Sequence, residues 1–155
     1  MSGRVDLRLL LACGAAGMVA SLPGVPALPR QLVSSGSYLE PEIGFSRAVR
    51  VGNFIAVAGT APILAEGGTA APGDVHGQTI RCLEIIAEAV TAAGGSMANV
   101  IRTRIMLTDM SSWRDASRAH GEVFRDIRPA CTFVQVSGFI DPAWLVEVEA
   151  DCIVE

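Results

Sequence analysis

The sequence predicts an α+β domain whose elements follow the order β-β-α-β-α-β-β. Two segments, residues 74–95 and 111–125, repeat apolar residues every three or four positions, as helices with one buried face do. Five short runs rich in apolar and β-branched residues surround these segments and predict strands. This alternation favours a sheet with both helices on one face, so we expect a partner subunit to cover the other face.

The first two predicted strands form a β-hairpin. Residues 45–51 and 54–58 are apolar runs of strand length, and Gly52-Asn53 between them is the kind of two-residue turn that joins hairpin strands. Loops are predicted on both sides of this hairpin, where glycine, serine and proline are frequent. These loops cover residues 35–37, 40–44 and 60–73.

Both predicted helices have recognisable ends. Asp74 is placed to be the N-cap of the first helix, and Gly94-Gly95 is a typical stop at its C-terminus. Ser111 or Ser112 is the predicted cap of the second helix, which extends to about Arg125.

The remaining strands are predicted at residues 100–107, 131–136 and 145–153. Alternation along the last strand places Glu147 and Glu149 on the face away from the helices. Arg102 and Arg104 alternate in the same way on a neighbouring strand and are candidates to pair with them. The two acids therefore belong either to an ion-pair network between subunits or to a catalytic site.

Composition narrows the function classes. A chain of 155 residues with 50% hydrophobic residues suits one domain with a substantial core. A net charge of −4 argues against nucleic acid as a partner, because such binding depends on clustered basic residues. The four cysteines are scattered and show no metal-ligand spacing, so we expect no metal site and reduced thiols in a cytoplasmic protein.

Residues 1–29 are predicted to be an extension ahead of a domain at residues 30–155. Arg4 and Arg8 precede an apolar run at residues 9–20, which is shorter than the roughly 20 residues of a membrane-spanning helix, so no membrane association is expected. The alternative is export, with residues 1–21 acting as a signal peptide.

Residues 31–155 resemble the RidA-like (YjgF-like) reactive-intermediate deaminases. Each matching motif is weak alone, but their order and spacing together identify the family. The matches are residues 44–53, residues 58–62, Gln78, Leu83, Ala93-Gly94-Gly95, residues 100–109, Arg128-Pro129-Ala130 and residues 146–150.

The resemblance implies a chorismate-mutase-like α+β fold and a homotrimer with three clefts between subunits. It also implies hydrolysis of reactive imines or enamines to a keto acid and ammonia, without a metal or organic cofactor. A small-molecule ligand would then occupy each intersubunit cleft.

Carried over residue by residue, the resemblance keeps only part of the site. The family's glutamate that positions the attacking water falls at Glu147, and a glycine that borders the ligand falls at Gly59. The arginine that grips the substrate carboxylate is replaced by Cys131, which cannot offer two parallel donors. Three further positions lose a polar group or change it, namely Phe45 for tyrosine, Ala58 for serine and Ser117 for asparagine.

Glu147 and Cys131 are therefore the predicted catalytic residues. A cleft thiol beside His120 and Glu147 acts either as a nucleophile or redox sensor, or simply fills the space left by the absent arginine. The predicted substrate-binding residues are Phe45, Gly59, Thr60, Ser117, His120, Phe133 and Arg104.

Two functions remain open at this stage. One is a hydrolase of the deaminase type with altered substrate choice, for which activity on classical imino acids is doubtful. The other is a non-catalytic trimer that binds a metabolite or a protein partner.

Overall fold

The structure, a computed structural model, describes residues 28–155, so nearly all of the predicted extension at 1–29 lies outside the described residues. Residues 28–155 fold into one six-stranded mixed sheet with three α-helices, which confirms the α+β class. The elements are β1 (Arg30–Val33), α1 (Leu39–Ile43), β2 (Ala48–Val51), β3 (Phe54–Thr60), α2 (Val75–Ala92), β4 (Val100–Leu107), α3 (Trp113–Phe124), β5 (Ala130–Gln135) and β6 (Val146–Ile153).

The sheet order is β1-β2-β3-β6-β4-β5, which puts the last strand of the chain in the middle. Strands β1, β2 and β3 form an antiparallel meander, and β6 pairs antiparallel with both β3 and β4. Strand β5 pairs parallel with β4 alone and is an edge of the sheet. The hairpin predicted around Gly52-Asn53 is present between β2 and β3.

The core lies between one face of the sheet and the two long helices. Alternate residues of β6 are buried on that face, which is the pattern expected of a sheet covered on one side. Burying each large aliphatic side chain contributes about 1.5–3 kcal/mol, so this layer supplies most of the stability. The largest buried core side chains are Ile55, Leu83, Ile86, Ile105, Leu107, Val90, Val146 and Val148.

Three elements near the start of the domain differ from the prediction, and the first is β1, which precedes the predicted order β-β-α-β-α-β-β. Residues 40–44 were expected to be a loop, but α1 forms here and ends at Gly44, whose φ of 81° is left-handed. The amide of Phe45 bonds to the Glu40 carbonyl, so the chain is still completing the helix end where a strand was predicted. Strand β2 therefore begins at Ala48 rather than at residue 45.

The cap of the second long helix also differs. A single 3-10 turn at Met110–Ser112 precedes α3, and the Asp109 carboxylate accepts hydrogen bonds from the Ser111 amide and hydroxyl. Asp109 thus caps this segment, whereas Ser112 precedes α3 without a side-chain cap bond. At the other helix, Asp74 does precede α2, again without a side-chain cap bond.

The second face of the sheet carries no helix within the described residues. Leu32, Val51 and Phe54 are exposed there, and Arg104 and Glu149 form an ion pair across β4 and β6. No helix among residues 28–155 is long and apolar enough to cross a membrane.

Candidate functional site

A β-bulge in β3 determines the surroundings of Glu147. Val57 pairs with Ala150 and Thr60 pairs with Val148, so two residues of β3 oppose one residue of β6. This places Gly59 under the Glu147 side chain, where an added Cβ atom would lie 2.9 Å from the Oε2 of Glu147. A larger residue here would displace the carboxylate from its present position.

Arg47 stabilises the bulge through hydrogen bonds. Its Nη1 donates hydrogen bonds to the Gly59 carbonyl at 2.7 Å and to the Thr60 hydroxyl at 3.0 Å. Its guanidinium carbon lies 5.5 Å from the centre of the Phe45 ring, a cation–π distance. Phe45, Arg47, Gly59, Thr60 and Glu147 are hereafter the Glu147 cluster.

Ser35, in the loop before α1, contacts the Arg47 guanidinium as well. The buried carboxylate of Glu40 accepts hydrogen bonds from the Ser35 amide and the Ser35 hydroxyl, both at 2.8 Å. The same hydroxyl lies 3.5 Å from the Arg47 Nε. No carboxylate oxygen of residues 28–155 comes within 4 Å of the Arg47 guanidinium, so this buried cation is held by neutral acceptors.

Burial makes Glu147 a stronger base than an ordinary glutamate. Desolvation raises its pKa above the usual 4.5, the Arg47 charge opposes that rise, and the Glu149 charge adds to it. Burial in turn lowers the pKa of Arg47, against the charges of Glu40 and Glu147. The result is a half-buried carboxylate beside a cation, able to take a proton from a neighbouring molecule.

A second group of residues lies at the β5 edge and includes the predicted His120, Cys131 and Phe133. The Thr103 hydroxyl and the His120 Nε2 are 2.9 Å apart, and burial lowers the pKa of His120, which favours the neutral ring. Cys131 is exposed and lies beside Thr103 in the β4–β5 register. The Phe133 ring packs edge-on against Trp113 at 6.5 Å. Thr103, Trp113, His120, Cys131 and Phe133 are hereafter the β5 group. Ser117 is half-buried on the same helix as His120.

The structure does not bring Cys131 and Glu147 together within one subunit, so the cleft expected between subunits stays a prediction. Cys131 is in register with Thr103, whereas Glu147 is in register with Met106, three residues further along β4. Side chains three residues apart on a regular strand point to opposite faces of a sheet. Cys131 thus shares the helix-covered face with Thr103, and Glu147 lies on the other face.

Arg104, a predicted substrate-binding residue, belongs to neither group. It lies on the open face, where its Nη1 contacts the Glu149 carboxylate. No group of three or more metal-ligating side chains occurs within residues 28–155.

Two residues that matter to this geometry were not singled out from the sequence. Arg47 stands among the apolar residues of a predicted strand, and an arginine in such a run is a signal that its charge has a specific partner. Thr103 alternates with arginines on β4 and reads as an ordinary strand threonine, so nothing local marks its bond to His120.

Comparisons with known proteins agree on one family. Residues 36–154 match the family model described as endoribonuclease L-PSP. An uncharacterised protein of Streptomyces coelicolor is 38% identical over 119 residues, covering 77% of this chain and 88% of that protein. A RutC family protein of Pyrococcus abyssi is 36% identical over 106 residues, covering 68% of this chain and 83% of that protein.

The comparison with a crystal structure indicates the same family. A Mycobacterium tuberculosis member of the YjgF/YER057c/UK114 family superimposes with a TM-score of 0.74 at 42% identity, covering 81% of this chain and 100% of that one. The sequence match spans almost the whole described domain, and the fold match extends along the same elements. The chain therefore belongs to the YjgF family, whose model carries the description endoribonuclease L-PSP.

Proposed function

We propose that the protein is a small-molecule hydrolase that opens the carbon–nitrogen bond of imines or enamines, with Glu147 as the base. One observation carries the proposal: Glu147 is half-buried with a raised pKa, and its carboxylate lies over Gly59, where an added Cβ atom would come 2.9 Å from its Oε2. A strand used only for structure has no need of a desolvated acid at this place. The resemblance of residues 31–155 to the reactive-intermediate deaminases supports the reaction class.

The reaction needs nothing beyond water and one acid–base group. The Glu147 carboxylate takes a proton from water as the water oxygen bonds to the imine carbon, and it passes this proton to the imine nitrogen, which gives a carbinolamine and restores the carboxylate. Glu147 then takes the proton of the carbinolamine hydroxyl and delivers it to the amine nitrogen, so that the carbon–nitrogen bond breaks, ammonia leaves and the carbonyl product forms. Substrates without a carboxylate are preferred, because Cys131 offers no partner for one.

The two groups of site residues become one site only between subunits. Within one chain, Glu147 and Cys131 lie on opposite faces of the sheet. In a homotrimer, the Glu147 cluster of one subunit faces the β5 group of the next across a cleft. The exposed apolar side chains of the open face support such an assembly, because monomers rarely leave a bare sheet face in water.

The decisive experiment replaces Glu147 by glutamine and uses Glu149→Gln as its matched control. Both acids lie on the same face of β6, but only Glu147 contacts the glycine of the bulge. Ammonia release is measured from benzaldimine generated in place by an amine oxidase, with the spontaneous rate subtracted. We expect Glu147→Gln to lose about a hundredfold or more in kcat, as removal of a general base does, and Glu149→Gln to retain most of the activity.

A non-catalytic binding trimer is the second candidate, and the exposed Cys131 at the signature position favours it. In that case the wild type accelerates hydrolysis of no imine, while small ligands still raise its melting temperature. Equal activity of Glu147→Gln and the wild type would also exclude Glu147 as the base.

A further inference from the structure

A separate cleft of about 410 Å³ lies between the loop after β1, the loop after β3 and the outer side of α2. Its volume lies within the roughly 300–1,000 Å³ that is typical of small-molecule sites. Neither Glu147 nor Gly59 lines it. The lining residues that matter here are Tyr38, Arg47, Leu64, Arg81, Ile85 and Trp144.

Arg47 is the cationic side chain of this cleft that has a nitrogen without a hydrogen bond to residues 28–155. Its side chain is 94% buried, since only 6% of the residue is exposed, and it contacts the cleft. Nη1 and Nε are directed at Gly59, Thr60 and Ser35, whereas Nη2 makes no hydrogen bond to any of residues 28–155. A buried cation with an uncommitted donor favours an anion, because desolvation strengthens the attraction between opposite charges.

Arg81 is a weaker candidate for the same role. Its Nε donates to the Ile63 carbonyl at 3.0 Å, and its Nη1 contacts Glu84 at 2.9 Å. Glu88 lies 3.9 Å from the same nitrogen, so the charge of Arg81 is already balanced by two carboxylates.

The rest of the lining suits an apolar molecule. Leu64 and Ile85 supply aliphatic wall, and Tyr38 adds an exposed aromatic ring at the rim. Trp144 also lines the cleft, and its indole N–H is a buried donor without an acceptor among the described residues. A buried donor without an acceptor costs free energy.

We propose that this cleft binds a small carboxylate with an apolar body, whose carboxylate is held by the free Nη2 of Arg47. The ligand needs no contact with Glu147, although Arg47 and Thr60 line this cleft and also belong to the Glu147 cluster. It gives the chain a carboxylate-binding arginine at a position other than 131.

The test is calorimetric titration of the full-length protein with isocaproate and with its neutral amide, isocaproamide. The two probes have the same shape and differ in charge. We expect isocaproate to bind about ten- to a hundredfold more tightly than the amide, the difference that a charge-assisted hydrogen bond supplies. Arg47→Gln should abolish this preference.

A second variant keeps the test valid if Arg47→Gln fails to fold. Leu64 is 36% exposed, so Leu64→Glu places a negative charge at the cleft wall without disturbing the core. It should weaken isocaproate binding at least about tenfold, whereas Leu28→Glu, at another exposed leucine outside the cleft, should not. Glu147→Gln should retain binding, which separates this proposal from the hydrolase.

Three results would overturn the proposal. The first is equal affinity for isocaproate and isocaproamide, and the second is unchanged binding by Leu64→Glu. The third is no binding by the wild type of either isocaproate or phenylacetate, which tests a flat aromatic body as well as a branched one.

Discussion

Cys131 lies exposed on the edge strand β5, so a longer side chain at this position extends into solvent rather than into the core. We expect Cys131→Arg to restore binding of 2-oxo acids and hydrolysis of iminopropionate, because it regains a planar fork for the carboxylate. In the intersubunit cleft of the proposed trimer such a charge pair would be shielded from water, where it is worth on the order of 2–5 kcal/mol, so even a partial gain should exceed about tenfold. Thr132→Arg is the control.

That control adds the same charge one residue away on the opposite face of β5. An equal gain from Thr132→Arg would mean that added positive charge, rather than its position, attracts the substrate. No gain from Cys131→Arg in a well-folded variant would favour the binding trimer, with a cleft changed at more than one residue.

The raised pKa of Glu147 has a consequence for stability that is independent of any substrate. A carboxyl group whose pKa is raised by folding stabilises the protein at pH values below its unfolded pKa, and that contribution is lost as pH rises through the folded pKa. We therefore expect Glu147→Gln to melt at a higher temperature than the wild type at neutral pH. The difference should shrink as the pH falls toward 4.5, the ordinary value. A lower melting temperature of the variant at neutral pH would show that the attraction to Arg47 outweighs burial.

At the level of the elements, the bulge in β3 places Gly59 close to the Glu147 carboxylate. Gly59→Ala would put a Cβ atom 2.9 Å from the Glu147 Oε2, and the flexible end of that side chain is free to move aside. We expect a large loss of kcat/KM from the displaced carboxylate but a stability change within about 1 kcal/mol. Gly138→Ala, where an added Cβ meets nothing within 4 Å, is the matched control. An active Gly59→Ala variant would mean that the position of the carboxylate is not critical.

Long periodic elements could be predicted from the sequence, and short ones could not. Helix α2 shows five turns of apolar periodicity between Asp74 and Gly94, which leaves little ambiguity. Strand β1 buries only Val33, so no alternation marks it, and its pairing with β2 is a tertiary contact. Helix α1 has five residues with Pro41 in its first turn, where proline is tolerated but is equally common in loops.

Only part of the candidate site could be predicted from the sequence, for a related reason. Glu147 could be found because a charged residue alternates with buried valines along β6. The role of Arg47 could not, because its acceptors come from the bulge in β3 and from the loop before α1, and no pattern in the chain connects them. Likewise, the separation of Cys131 from Glu147 follows from the order of β5, β4 and β6 in the sheet.

For the whole molecule, the prediction is a homotrimer with shared sites. Light scattering on the full chain should give three times the 16.2 kDa chain mass. A cleft shared by two subunits also predicts complementation between inactive variants. Glu147→Gln removes the base, and Phe133→Arg disrupts the β5 group, so co-expressed chains should form some clefts with both halves intact and recover part of the activity.

A mass of 16.2 kDa at micromolar concentration would exclude both the trimer and the shared cleft. A trimer in which the two variants fail to complement one another would place the whole site within a single chain. The separation of the two groups in one subunit makes that outcome unexpected.

Arg47 lies between two places where negative charge can sit, the Glu147 carboxylate on one side and the 410 Å³ cleft on the other. Its charge is one of the influences that lower the pKa of Glu147. An anion in the cleft offsets part of that charge, so Glu147 takes up a proton more readily while the anion is bound. Thermodynamic linkage makes the effect mutual, and acidification therefore tightens anion binding. Cells rich in such anions would hold a larger fraction of these chains with a neutral Glu147, which cannot act as a base, so the hydrolytic capacity of the protein would fall as the anion supply rises.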